Sequence, residues 1–189
     1  ATLHSALAAV GVKPGDEVIT PPLTMASTSL AVLHQGAVPV FADIDPNTFL
    51  LDPESIRSRI TPRTRAIITV ALYGLSPDMD PIMEMAKANG IAVIEDDAQC
   101  FLGRYKGRIA GSIGDLASFS FQNSKHIPSG EGGAVTSNSD ELIDRCSAFH
   151  NCGRSVGTFT GSGCFTRGSN FRMQHFQAAM LVQQFDKLV

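Results

Sequence analysis

The chain has 189 residues, 43% of them hydrophobic and 17% charged, which is enough apolar material for one buried core and excludes a disordered chain. Its formal charge of -3 and the lack of any basic run leave no electrostatic footprint for nucleic acid. Its longest apolar stretches, such as Ala66 to Leu72, fall far short of a bilayer span, and no signal peptide is read at its start.

Taken in order, Ala1 to Val10 carries a helical pattern closed by Gly11, and Lys13-Pro14-Gly15-Asp16 is a turn. Glu17 to Thr20 reads as a short strand, Ser27 to His34 as a helix ended by Gly36, and Val38 to Ile44 as a strand. Asp52, ahead of Pro53 and Glu54, is the expected N-cap of a short helix to Ile60. Arg65 to Leu72 is β-branched and apolar, hence a buried strand. Asp80 is expected to cap a helix from Pro81 to Asn89, with Gly90 as its stop. Ile91 to Ile94 and Leu116 to Phe121 are further buried strands, and Ala134 to Thr136 is a short strand that can return antiparallel. Ser139 caps a helix to about His150, Thr158 to Gly168 is the most loop-like stretch, and Met173 to Leu188 is a final helix.

Strands that are apolar on both faces and alternate with helices imply an α/β fold. Its three layers, α/β/α, would hold a mostly parallel mixed sheet. Ligands bind such sheets outside the carboxyl ends of the strands. Cys100, Cys146, Cys152 and Cys164 form no CxxC pair, so neither a zinc site nor a redox motif is suggested, and free thiols in a cytoplasmic enzyme are expected. The chain opens without methionine inside one helical pattern and stops at Val189 inside another, so a segment of a longer protein is expected.

Three constellations fall where that sheet would bind a ligand. Glu95-Asp96-Asp97 is an acidic triplet at the end of a buried strand. Solvated turn carboxylates, a magnesium site or a carboxylate partner for a protonated pyridine nitrogen would each account for it. Lys125 follows the buried Leu116 to Phe121 strand by a few residues without an acidic neighbour. It is either a surface lysine or an amine set to attack a carbonyl. Gly130-Glu131-Gly132-Gly133 is either a plain turn or a place of close backbone approach to a ligand.

Together, Asp96-x-x-Gln99, Gly114-Asp115, Phe119-Ser120-Phe121-x-x-x-Lys125 and Gly130-Glu131-Gly132-Gly133 resemble, in order and spacing, the DegT/StrS family of sugar aminotransferases. Gly36-Ala37-x-Pro39-Val40-Phe41, Leu72-Tyr73-Gly74, His150-Asn151-Cys152-Gly153-Arg154 and Gly168-Ser169-Asn170-Phe171-Arg172-Met173 extend the resemblance over nearly the whole chain. It implies the large domain of a fold type I enzyme that uses pyridoxal 5'-phosphate (PLP), with an N-terminal segment and a small C-terminal domain lying outside residues 1–189.

The resemblance also implies roles. Lys125 matches the Schiff-base lysine and acid/base, and Asp96 the partner of the pyridine nitrogen. Gln99 matches a residue near the cofactor's phenolic oxygen, and Ser120 a phosphate ligand. Asn170 matches an asparagine that reaches the phosphate in the other subunit of a homodimer. The family's phosphate-binding Gly-Thr pair would fall just before Ala1, so only Ala1 of that group is present, at the helix N-terminus. Met25 stands where an aromatic stacks on the cofactor ring, a position a thioether can fill. Ala71 stands where histidine is frequent, a position expected to bear on substrate choice.

The reaction implied is transfer of an amino group from glutamate or glutamine to a nucleotide-linked keto sugar or a keto-cyclitol. A sugar dehydratase on the same scaffold would carry histidine at position 125. A non-catalytic regulator would have little use for an intact Lys125, Asp96 and Gln99, and a Rossmann-type dinucleotide enzyme would carry G-x-G-x-x-G after its first strand.

Overall fold

The computed structural model describes residues 1–154 and 167–188, so Cys164 and most of the Thr158 to Gly168 stretch lie outside the described residues. The chain runs α1 (Thr2–Ala9), β1 (Glu17–Thr20), α2 (Ser27–His34), β2 (Val38–Phe41), α3 (Pro53–Arg59), β3 (Thr64–Val70) and α4 (Met79–Asn89). It continues through β4 (Ala92–Asp96), β5 (Arg104–Tyr105), β6 (Arg108–Ile109), β7 (Leu116–Ser120), β8 (Gly133–Thr136), α5 (Asp140–His150) and α6 (His175–Phe185). Six strands form one sheet in the order β2-β1-β3-β4-β7-β8, and β5 with β6 makes a separate hairpin. The first five strands of the sheet run parallel. β8 returns antiparallel to β7, with Ser120 opposite Gly133.

Successive side chains of a strand face opposite ways, and in the central strands both faces are buried. Val18, Ile68 and Ile94 join Leu3 and Leu7 of α1, Val32 of α2 and Cys146 of α5 in one core. Their neighbours Ile19, Ile67 and Val93 join Ile56 of α3 and Met79 and Ile82 of α4 in another. The sheet is therefore the middle of three layers, as the apolar strand runs required.

The caps follow local chemistry. Asp52 accepts from the N–H groups of Glu54 and Ser55 at 3.1 and 3.3 Å, and Ser139 accepts from Leu142 N–H at 3.4 Å. Gly90 closes α4 in the left-handed region, at φ 64°. Asp80 does not cap α4. The helix starts at Met79, which puts Asp80 inside the first turn, and its carboxylate pairs instead with Lys106 and Arg108 of the β5–β6 hairpin at 2.7 and 2.5 Å. That hairpin, whose strands have two residues each, carries no periodic signal in the sequence. β2 stops at Phe41, and Ile44 pairs alone with Leu51 around a turn in which Asp45 accepts from Asn47 and Thr48 N–H. β3 stops at Val70, and Leu72–Gly74 forms a short 3-10 turn with Tyr73 at φ 54°. The last helix is shorter than Met173 to Leu188, because Gln174 and Gln177 cap each other reciprocally at its start.

Candidate active site

The carboxyl ends of β4 and β7, the first turn of α1 and the start of α2 converge on one open cleft of about 1110 Å³. Six of the seven residues singled out in the sequence line it: Ala1, Met25, Asp96, Gln99, Ser120 and Lys125.

Asp96 is the last residue of β4, level with Ser118 of β7, and only 5% exposed. Thr28 of α2 donates to its Oδ2 at 3.0 Å, and Ala98 N–H donates to its Oδ1 at 3.3 Å. Burial pushes this carboxyl above the usual range; the bonds from Thr28 and Ala98 and the positive charge of Lys125 pull it back.

The other two acids of the triplet are not solvated turn carboxylates either. Glu95 is buried and takes the N–H groups of Gly111, Ile113 and Gly114 at 3.0, 2.8 and 2.7 Å, which fastens the loop ahead of β7. Asp97 is 3% exposed, and its Oδ2 has no hydrogen-bond partner among the described residues. Burial, then the charges of Glu95 and Asp96, push it up to about 8. Of the three, Asp96 alone lines the cleft.

Lys125 is half-buried in the loop after β7. Its N–H donates to Gln122 O at 2.9 Å, and the Gln122 side chain accepts from both the N–H and the hydroxyl of Ser124 at 2.9 and 2.7 Å, so the lysine leaves a tied turn. Ser120 Oγ accepts from Gln122 N–H at 3.4 Å. Gln99 Oε1 accepts from Tyr73 N–H at 2.8 Å, which orients the amide between the Leu72–Gly74 turn and the cleft. The first turn of α1, at Ala1, Thr2 and Leu3, opens into the cleft, and first-turn N–H groups have no partner within their own helix. Met25 stands at the rim, 72% exposed.

Gly132 and Gly133 line the cleft, but what makes glycine necessary there is protein. A Cβ on Gly133 would sit 2.6 Å from Phe119 O and 2.8 Å from Thr2 Cγ2, and one on Gly132 would meet Met173 and Ser129. Ala71 is buried against Cys100 and Ala110 and is not among the residues that line the cleft.

Asn170 is the candidate the fold does not bring in. It is exposed, bridges to Asn151, and accepts from Arg172 N–H at 3.4 Å, although its neighbours Phe171 and Arg172 do line the cleft. Nor does it cap the last helix, a place held by Gln174. Sequence reading missed Thr28 and Thr24, whose hydroxyls lie 3.0 Å apart behind Asp96, and the 2.7 Å hydroxyl pair of Thr2 and Ser118. The available signal was the run of Ser and Thr at the start of α2.

The donor set suits PLP. A buried carboxylate can face a protonated ring nitrogen, an amine is at hand, and helix N–H groups and hydroxyls can face a phosphate.

The chain belongs to the DegT/DnrJ/EryC1/StrS aminotransferase family, which it matches over residues 1–189. It is 42% identical to GDP-perosamine synthase of Caulobacter vibrioides over 186 residues, 98% of this chain and 50% of that one. It is 38% identical to a putative L-glutamine:3-amino-2,3-dideoxy-scyllo-inosose aminotransferase of Streptomyces kanamyceticus, covering 98% of this chain and 44% of that one. It is also 41% identical to a pleiotropic regulatory protein of Geobacillus stearothermophilus, covering 98% and 49%. It superposes on the crystal structure of NtdA from Bacillus subtilis with bound cofactor PMP with a TM-score of 0.89 at 34% identity, covering 99% of this chain and 42% of that one. The chain thus spans about half the length of these relatives. Aminotransferases of this family depend on PLP, and the bound PMP in one neighbour is the amine form of that cofactor. Among the described residues, no helix is long and apolar enough to cross a membrane. Cys100, Cys146 and Cys152 are free thiols.

Proposed function

We propose that the whole protein is a PLP-dependent aminotransferase that moves an amino group from glutamate or glutamine to a nucleotide-linked keto sugar or a keto-cyclitol, and that residues 1–189 supply its cofactor-binding large domain. The observation that carries this reading is the buried Asp96 carboxylate sharing one cleft with Lys125, at the carboxyl ends of adjacent strands. Support for the substrate class comes from the relatives named for perosamine synthesis and for glutamine-dependent amination of an inosose.

When bound, the cofactor supplies an electron sink for the carbanion that forms as the amino-bearing carbon loses its proton. The chain's own residues do the rest. Asp96 would hold the proton on the ring nitrogen by its charge. The first-turn N–H groups of α1, with the Ser120 hydroxyl, would hold the phosphate. Gln99 would present its amide to the phenolic oxygen, and Met25, at the rim, would pack against the ring. Lys125 would be the amine that holds the cofactor, and its Nζ would serve as the acid/base that moves a proton from the amino-bearing carbon to the carbon on the far side of the nitrogen, a 1,3-shift. Asn170, which does not line its own cleft, would complete the phosphate site of a second subunit in a cytoplasmic homodimer. A neutral amide adds a donor there without the desolvation cost of a buried charge.

A regulator without turnover is the second reading, favoured by the similarity to a pleiotropic regulatory protein. The presence of Asp96 and Lys125 in one cleft weighs against it. Borohydride reduction of the PLP-loaded full-length protein, followed by peptide mapping, tests the lysine: the label is expected on Lys125, and a label on any other lysine ends the assignment. Amino transfer from glutamate or glutamine to keto-sugar and keto-cyclitol acceptors then separates the enzyme from the regulator.

A further inference from the structure

Asp96 is reached from behind by one hydroxyl, itself backed by a second, and the family resemblance supplied neither. Thr28 is fully buried, at 0% exposure, and its Oγ1 donates to Asp96 Oδ2 at 3.0 Å across 68 positions of sequence. A buried threonine near a helix start has a local alternative, a bond to a carbonyl of its own helix. Here the hydroxyl crosses to β4 instead. Thr24 Oγ1 lies 3.0 Å from Thr28 Oγ1 and itself lines the cleft. A hydroxyl has one proton, and Thr28 gives its proton to Asp96. The Thr24–Thr28 bond is therefore donated by Thr24, and the relay has one direction: Thr24 to Thr28 to Asp96. The same turn carries Met25, because Thr28 N–H donates to Met25 O at 3.1 Å.

We propose that Thr28, backed by Thr24, is the positioning residue of this site: a hydroxyl relay that locks the orientation of the Asp96 carboxylate and ties it to the turn bearing Met25. The role rests on the PLP reading above, in which Asp96 faces the ring nitrogen. The Thr28 hydroxyl also favours the charged carboxylate against the burial that opposes it. Oδ2 is held by Thr28 and Oδ1 more loosely by Ala98 N–H, at 3.3 Å, so the Thr28 hydroxyl is the closer of the two bonds that orient the carboxylate.

The test uses the full-length protein with 13Cγ-labelled aspartate and compares wild type, Thr28→Val and Thr28→Ser. In the cofactor-free protein, the titration of the Asp96 carboxyl is expected to move up by about one pH unit or more in Thr28→Val and to return toward wild type in Thr28→Ser. With PLP bound, the acid limb of the kcat profile should move the same way, and turnover at neutral pH should fall about ten-fold, with serine again restoring it. An unchanged Asp96 titration in Thr28→Val, or no recovery with serine, overturns the proposal. If valine at 28 prevents folding, Thr24→Val reads the relay from its partly exposed end: a smaller shift in the same direction supports it, and no shift overturns it. The cofactor-free titration stands by itself, so a protein that binds no PLP but shows the shift retains the relay and loses only the enzymatic reading.

Discussion

Replacing Asp97 with asparagine removes one proton-binding group from a dry position while nearly preserving its shape. The wild-type carboxyl is 3% exposed, lacks a partner for Oδ2 among the described residues, and is pushed from an ordinary 3.8 up to about 8. A carboxyl raised in the folded state binds its proton more tightly there than in the unfolded chain. Its contribution is therefore complete below the unfolded value, near pH 4, and is lost as pH rises through about 8. Each pH unit between those limits costs about 1.4 kcal/mol, and the loss levels off above the folded value, so about 3 kcal/mol should disappear between roughly pH 6 and 9. Asp96 is raised by the same burial and loses stability in the same direction, so wild type alone cannot isolate Asp97. The difference between wild type and Asp97→Asn can. Urea unfolding of the cofactor-free full-length protein at pH 6, 7.5 and 9 should find the asparagine variant gaining on wild type by about 3 kcal/mol across that range. A difference that stays constant within about 0.5 kcal/mol would show that Asp97 is charged in the folded state at neutral pH, and the account of the acidic triplet would fall.

Asp96→Asn should lower turnover about 1000-fold, roughly 4 kcal/mol of barrier, because an uncharged amide does not hold the proton on the ring nitrogen. Asp97→Asn should cost far less, since its side chain does not line the cleft; equal losses in steady-state assays would sink the choice of Asp96. Asn170→Ala should weaken PLP binding about 5- to 150-fold, read by equilibrium titration, and leave the thermal stability of the saturated protein nearly unchanged. Mixing Asn170→Ala with Lys125→Ala subunits should restore activity, because one site of each mixed dimer then carries both defects and the other neither; mixed dimers without activity would rule out a contact across the interface. Gly133→Ala should destabilise the fold by about 1–3 kcal/mol in urea unfolding, because its methyl would press on Phe119 O and Thr2 Cγ2; a change below about 0.5 kcal/mol would mean that β8 can shift away freely.

Much of this protein is legible in its sequence, because local rules carry it. Runs apolar on both faces, such as Ile67-Ile68 and Val93-Ile94, can be satisfied only by a sheet covered on both sides, and that requirement places any ligand at the carboxyl strand ends. Caps made within three residues, at Asp52 and Ser139, are equally local. The family resemblance singled out Lys125, Asp96, Gln99 and Ser120, and they share the cleft because each stands on, or a few residues past, the end of a buried strand.

What tertiary structure alone decided concerns partners far apart in sequence. Asp80 looks like a cap until Lys106 and Arg108 arrive from a hairpin whose two-residue strands have no period to read. Gly133 answers to Phe119 and Thr2 rather than to a ligand. The division of labour within Glu95-Asp96-Asp97 is not written in the triplet. Strand alternation turns Asp96 to the opposite face from its two neighbours, but only the packed fold supplies the backbone N–H groups that hold Glu95, the Thr28 hydroxyl behind Asp96, and the buried setting in which Asp97 Oδ2 finds no partner among the described residues. The charge and reach of a carboxyl depend on its solvation and on the donors around it, and those are properties of the folded chain.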